Sequence, residues 1–128
     1  HTRDSVKDPI KIIKESNLKV KGQFHCFSGD ETDLQDAIGL ETYCISYCGN
    51  ITYKNFDALE LVRQTPVEKL LAETDSPFLT PVPHRGKKNE PAFVKHTIEK
   101  MAHLKGVGFE EMVLQLEINT RALFPKAF

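Results

Sequence analysis

Leu70-Leu71-Ala72-Glu73-Thr74-Asp75-Ser76-Pro77 is the stretch on which the reading of this chain turns. Its apolar start reads as a strand, its alternation puts Glu73 and Asp75 on one face, and Ser76-Pro77 ends it. Pro66 interrupts the chain just upstream, and 67–69 lead into the strand. Downstream, 76–89 hold Pro77, Pro81, Pro83 and Gly86, the composition of a long loop over the surface. Loops of that length are usually functional or disordered.

Upstream of the stretch, 42–48 is β-prone and mostly apolar, as a strand buried on both faces would be, and Gly49-Asn50 breaks it. A helix is expected over 56–63. An earlier helix carries Leu34, Ala37 and Ile38, is capped by Thr32 or Asp33, and ends near Gly39. Before it, 20–27 alternates, with Val20, Gly22, Phe24 and Cys26 on one side and Lys21, Gln23, His25 and Phe27 on the other. Asp8 as N-cap and Pro9 at the first helical position start a helix over 8–16. After the loop, Pro91 opens a helix through Lys105 with Val94, Ile98, Met101 and Ala102 inward; Gly106 and Gly108 part it from a last helix holding Met112, Val113 and Leu116. Strands alternating with helices, through connections too long for hairpins, predict βα units and a parallel sheet.

At 128 residues the length suits one domain, and 40% hydrophobic with 27% charged residues and no long apolar run fits neither disorder nor a membrane span. Seventeen basic residues against eighteen acidic leave a net charge of −1, which argues against broad electrostatic binding along nucleic acid; such a substrate must be held locally. Three cysteines, Cys26, Cys44 and Cys48, cannot all pair, which suits a reducing cytoplasm or nucleus. Cys44 and Cys48 on a strand are better read as buried thiols than as a zinc knuckle. A histidine at position 1, with no signal-like stretch after it, suggests a processed, truncated or incomplete start.

His25 and Asp75 both lie at strand ends, the edge of a parallel sheet where sites are built. A histidine and a carboxylate there suit a divalent metal that activates water. Each also has a plainer use, His25 as a satisfied strand residue and Asp75 as a cap of the turn at Ser76-Pro77. Glu73 shares the face of Asp75 and needs a cation or an ordinary ion pair if buried. His84-Arg85-Gly86-Lys87-Lys88 could clamp phosphates, Arg85 in bidentate fashion, or form a solvated charge run.

Five strings in order, His25-Cys26-Phe27-Ser28-Gly29, Gly49-Asn50-Ile51-Thr52-Tyr53-Lys54-Asn55, Glu73-Thr74-Asp75-Ser76-Pro77-Phe78-Leu79-Thr80-Pro81, Arg85-Gly86-Lys87-Lys88-Asn89-Glu90-Pro91 and Asn119-Thr120-Arg121-Ala122-Leu123-Phe124, resemble motifs of the TatD-type deoxyribonucleases. The resemblance implies a (β/α)8 barrel of the amidohydrolase type with a one- or two-metal centre acting on DNA. It implies His25 as the metal ligand of the sixth strand. Asp75 is then the ligand of the eighth, placed to take a proton from water. His1-Thr2-Arg3-Asp4 is similar to the end of the fifth strand, making His1 a further ligand. Arg85, Lys87 and Asn89 fall on the substrate side and Glu73 behind the ligands.

The family's earlier ligands have no counterpart, and a complete barrel takes about 250 residues. The expectation is therefore an α/β fold, the C-terminal half of a TIM-type barrel (strands five to eight) with C-terminal helices, all of 1–128 being one partial hydrolase domain. Mg2+ or Mn2+ is the expected metal if carboxylates complete the site, with Zn2+ open given the histidines. Expected partners are DNA, the absent N-terminal half, or a second copy paired along the open edge, and no membrane. Two alternatives stay open: a truncated or spliced product that only binds, and a same-fold hydrolase of esters or amides.

Overall fold

The structure, a computed structural model, describes residues 1–2, 5–16 and 20–128. Three parallel strands, β1 (Gly22–Phe24), β2 (Tyr43–Tyr47) and β3 (Leu70–Ala72), lie side by side in chain order. Parallel neighbours require crossovers, and helices supply them: α2 (Glu31–Ile38) joins β1 to β2, and α3 (Leu59–Gln64) joins β2 to β3. α1 (Lys7–Glu15) precedes β1, while α4 (Val94–Lys105) and α5 (Phe109–Leu123) follow the long loop.

Register sets the core. Phe24 sits opposite Ile45 and Ile45 opposite Leu70, so one row of apolar side chains crosses the sheet on a single face. That row is buried with Leu34 and Ala37 of α2, Val62 of α3, Met101 of α4, and Met112 and Leu116 of α5. On the opposite face the same register lines up Gln23 with Cys44 and Ser46 with Leu71. This second face is uneven: Gln23 is exposed and Cys44 half-buried, whereas Ser46 and Leu71 are buried. α5 closes over β3 through Asn119, whose amide donates to the carbonyls of Val67 (2.7 Å) and Leu70 (2.8 Å).

Several boundaries differ from expectation for local reasons. The 20–27 strand contracts to Gly22–Phe24, because Cys26 takes a left-handed backbone (φ 47°) and ends the ladder. That kink swings Phe27 into the core beside Phe24, their rings 6.4 Å apart, so the alternation fails there. α2 is capped by Asp30, not Thr32 or Asp33: Asp30 accepts from the Asp33 N–H (2.8 Å) while Asp33 accepts from the Asp30 N–H (3.2 Å). α1 starts at Lys7 without a side-chain cap, leaving Asp8 inside its first turn. α3 begins at Leu59 rather than Phe56, whose N–H closes a turn on the Tyr53 carbonyl (3.2 Å). β3 stops at Ala72, although the Glu73 N–H still reaches the Tyr47 carbonyl (3.1 Å).

Pro91–Phe93 forms a 3-10 turn before α4, which ends on Gly106 at φ 68°, a conformation open to glycine at little cost. Of the strand expected at 1–4, Arg3 and Asp4 lie outside the described residues, and His1 and Thr2 are not in a strand. The described residues thus hold three of the four strands expected. Among them no helix is long and apolar enough to cross a membrane. Leu114 and Ile118, one turn apart on α5, are 61% and 60% exposed, an apolar strip facing water.

Candidate metal centre

All three strands deliver chemistry at their C-terminal ends: His25 just after β1, Cys48 after β2, and Glu73 and Asp75 after β3. Two of the turns involved are strained. Cys26 and Asp75 adopt φ of 47° and 55°, a region that non-glycine residues seldom occupy and that collects at functional sites. Asp75 can thereby turn back toward β1, and its Oδ1 lies 3.2 Å from His25 Nε2. The other imidazole nitrogen, Nδ1, is 2.7 Å from Glu73 Oε2.

Glu73 is held by three groups. Besides His25, its Oε1 accepts from the Cys26 N–H at 2.5 Å and from the Cys48 thiol at 3.1 Å. The sequence left Glu73 between metal support and an ordinary ion pair; the structure makes it the brace of His25. Burial by itself would lower the His25 pKa, but the Glu73 hydrogen bond and the charges of Glu73 and Asp75 outweigh it and raise the pKa above its ordinary 6.5. The neighbouring Cys48 thiol lowers the pKa of Cys26, while the neighbouring Cys26 together with burial raises that of Cys48.

His25, Cys48 and Glu73 offer nitrogen, sulfur and oxygen atoms within 4.8 Å of one another, a spacing a metal ion could use. Those atoms already bond among themselves or to Cys26, however. The Nε2 side of His25 is different, for it opens with Asp75 onto a cleft of about 590 Å³ lined also by His1, Asn50 and Phe78. The His1 ring stands edge-on to His25, centroids 4.5 Å apart. Asn50 Oδ1 is buried there with no hydrogen-bond partner among the described residues, an acceptor suited to a cation or its water. Two histidine rings, a carboxylate and an orphan carbonyl oxygen around one cleft fit a hard or borderline divalent cation. Sequence reasoning passed over Asn50 as a loop residue; its position directly beyond β2, on the same sheet edge as His25 and Asp75, was the available signal.

The loop 76–89 is ordered by its own bonds. Asn89 is 4% exposed, and its amide donates to the carbonyls of Thr74 (2.8 Å) and Phe78 (2.5 Å) while its oxygen accepts from the Glu90 N–H (2.9 Å). The side chain expected to meet substrate is thus occupied in holding Asp75 and Phe78 in place. At Gly49 a Cβ would collide with the Leu79 carbonyl, so only glycine lets the end of β2 lie this close to the loop. Arg85 does not line the cleft; its guanidinium stacks 4.0 Å from the centre of the Tyr53 ring. Tyr53 in turn donates to the Thr80 carbonyl (3.0 Å). Lys87 is exposed, and its carbonyl accepts from the Thr80 hydroxyl (2.7 Å). Cys44 and Cys48, four residues apart on an extended chain, are separated by roughly 13 Å and cannot share a metal.

Comparison with known proteins identifies the family and the fold. A family described as TatD related DNase matches residues 1–125. The uncharacterized metal-dependent hydrolase YabD of Bacillus subtilis is 40% identical over 126 residues, covering 97% of this chain and 49% of its own. The uncharacterized metal-dependent hydrolase YcfH of Escherichia coli K12 is 42% identical, with 97% and 47% covered. The chain therefore spans about half the length of the curated relatives it matches. Among solved structures, the TatD homolog YJJV of Escherichia coli K12 superposes with a TM-score of 0.85 at 26% identity, over 94% of this chain and 46% of that one. A TatD family hydrolase from Entamoeba histolytica gives 0.77 at 24% identity over 92% and 47%, a likeness of fold.

Proposed function

Because this chain belongs to the TatD family of metal-dependent hydrolases, we propose that it is the C-terminal half of a (β/α)8 barrel which, when whole, cleaves phosphodiester bonds in DNA. The observation that carries the reading is the imidazole of His25, fixed from behind by Glu73 at 2.7 Å and facing Asp75 across the cleft at 3.2 Å.

His25, Asp75 and His1 are the residues that would hold a divalent cation, Mg2+ or Mn2+ in the first place and Zn2+ if the histidines dominate. Such an ion, when bound, polarises a phosphoryl oxygen and acidifies a water. The chain's own residues do the rest. Glu73 keeps the Nδ1 proton of His25 on its carboxylate side and leaves the Nε2 lone pair toward the cleft. Asp75 Oδ1 is placed to accept a proton from an attacking water. Arg85 and Lys87, on the loop above, supply cationic donors for flanking phosphates, the guanidinium oriented by Tyr53. Asn89 holds the loop that carries Asp75. A whole protein of this kind works in the cytoplasm or nucleus.

The test is turnover of a short DNA duplex and of a carboxylic ester by the whole protein, wild type against His25→Ala and Asp75→Ala. Both variants are expected to keep their circular dichroism and lose DNA cleavage by orders of magnitude. Unchanged cleavage in either would remove it from the site, and selective turnover of the ester would favour the same-fold esterase.

A further inference from the structure

We propose that Cys26 and Cys48 form an oxidation site, in which a disulfide between them withdraws the thiol donor from Glu73 and so slackens the brace on His25. The reduced protein already sets the two residues side by side: the Cys26 N–H at 2.5 Å and the Cys48 thiol at 3.1 Å converge on the same oxygen, Glu73 Oε1. β1 and β2 are direct neighbours, and just past β1 the Phe27 N–H bonds the Ser46 carbonyl at 3.0 Å, so the backbone at Cys26 runs against that at 46–48. Neighbouring strands lie about 4.8 Å apart. Disulfides span Cα separations of roughly 4.4–6.8 Å. The left-handed backbone of Cys26 (φ 47°) takes its side chain out of the ordinary strand alternation.

Access to the two sulfurs is unequal. Cys26 is half-buried and lines the open cleft, so an oxidant reaches its sulfur first; Cys48 is fully buried. With hydrogen peroxide, the Cys26 sulfur takes one oxygen, becoming a sulfenic acid as water leaves. The Cys48 sulfur then attacks the Cys26 sulfur, the S–O bond breaks, and a second water departs with the Cys48 proton. The sum is two thiols and one peroxide giving one disulfide and two waters. Cys44, on the same face of β2 but roughly 13 Å from Cys48 along the strand, is an internal control. The disulfide chemistry stands independently of the proposed activity; only its effect on metal at His25 rests on that reading.

The experiment oxidises the folded full chain with increasing hydrogen peroxide, alkylates remaining thiols and digests with chymotrypsin. Cleavage after Phe24, Phe27, Tyr43 and Tyr47 places Cys26, Cys44 and Cys48 on separate peptides. Expected is an intramolecular Cys26–Cys48 link that disappears with dithiothreitol, while Cys44 is alkylated throughout. Cys44→Ser should leave the link unchanged, and Cys48→Ser should stop at a Cys26 sulfenic acid that dimedone traps. A Cys44 link, intermolecular links only, or oxidation of Cys44 as fast as Cys26 would overturn the proposal. Mn2+ titration before and after oxidation reads the consequence, expected as about tenfold weaker binding. Unchanged Mn2+ affinity with the link in place would refute the slackened brace, and no Mn2+ binding even when reduced would count against the hydrolase reading alone.

Discussion

Replacing Glu73 by glutamine keeps the size of the side chain and tests the metal centre through a single proton. In the wild type both carboxylate oxygens accept, Oε1 from the Cys26 N–H and Oε2 from His25 Nδ1. Glutamine has only one acceptor. A backbone N–H can only donate, so the amide oxygen is drawn to Cys26 and the NH2 group is turned toward His25. His25 Nδ1 must then accept, which moves the imidazole proton to Nε2, the nitrogen facing Asp75 and the cleft. A protonated Nε2 offers no lone pair to a metal. Loss of such an orienting partner typically costs 10–100-fold in metal affinity, or about 1.4–2.7 kcal/mol.

Two measurements check the Glu73→Gln prediction. Nitrogen NMR of the His25 ring reads the tautomer without any metal, and Mn2+ titration of the whole protein reads the affinity. The pH dependence follows with the opposite sign for stability and for metal. The His25 pKa is raised on folding, so its contribution to stability is full below 6.5 and is lost as pH rises through the folded value. Metal binding needs the proton gone and strengthens over the same interval. Glu73→Gln removes the main influence holding the pKa up, so its metal binding should begin at lower pH yet plateau weaker. A variant with Nδ1 still protonated and wild-type Mn2+ affinity would refute the reasoning.

Asn89→Ala removes three hydrogen bonds from a buried position and should cost about 2–4 kcal/mol in urea denaturation, with the loop 76–89 becoming protease-sensitive. Arg85→Lys should impair DNA cleavage in the whole protein nearly as much as Arg85→Ala, because an ammonium reproduces neither the planar fork nor the stack on Tyr53; equal activity of all three at physiological salt would dismiss the clamp. This chain by itself should self-associate in sedimentation, through the sheet edge and the Leu114–Ile118 strip, and a separately produced N-terminal half should return it to a defined complex. A compact monomer that cleaves DNA with added metal would contradict that expectation.

Much of this architecture was legible one residue at a time. The apolar run Leu70-Leu71-Ala72 and the β-prone run ending at Tyr47 are short local signals, and the helices between them carry enough periodicity to announce parallel βα units. The strand-end positions of His25, Glu73 and Asp75 follow from the same count. What the sequence could not disclose is how those side chains are aimed. Left-handed backbone at Cys26 and Asp75 is disfavoured by local sterics and persists because surrounding packing and hydrogen bonds over-determine it, so no local propensity signals it. The division of labour among polar groups is equally non-local. Glu73 and His25 are 48 residues apart, and only their shared hydrogen bond assigns one to support and the other to the cleft. Asn89 and Asn50 make the point in opposite directions. Neither residue type reveals whether its amide is spent within the fold or left free for a ligand, because that depends on which carbonyls and amides the tertiary structure brings within 3 Å.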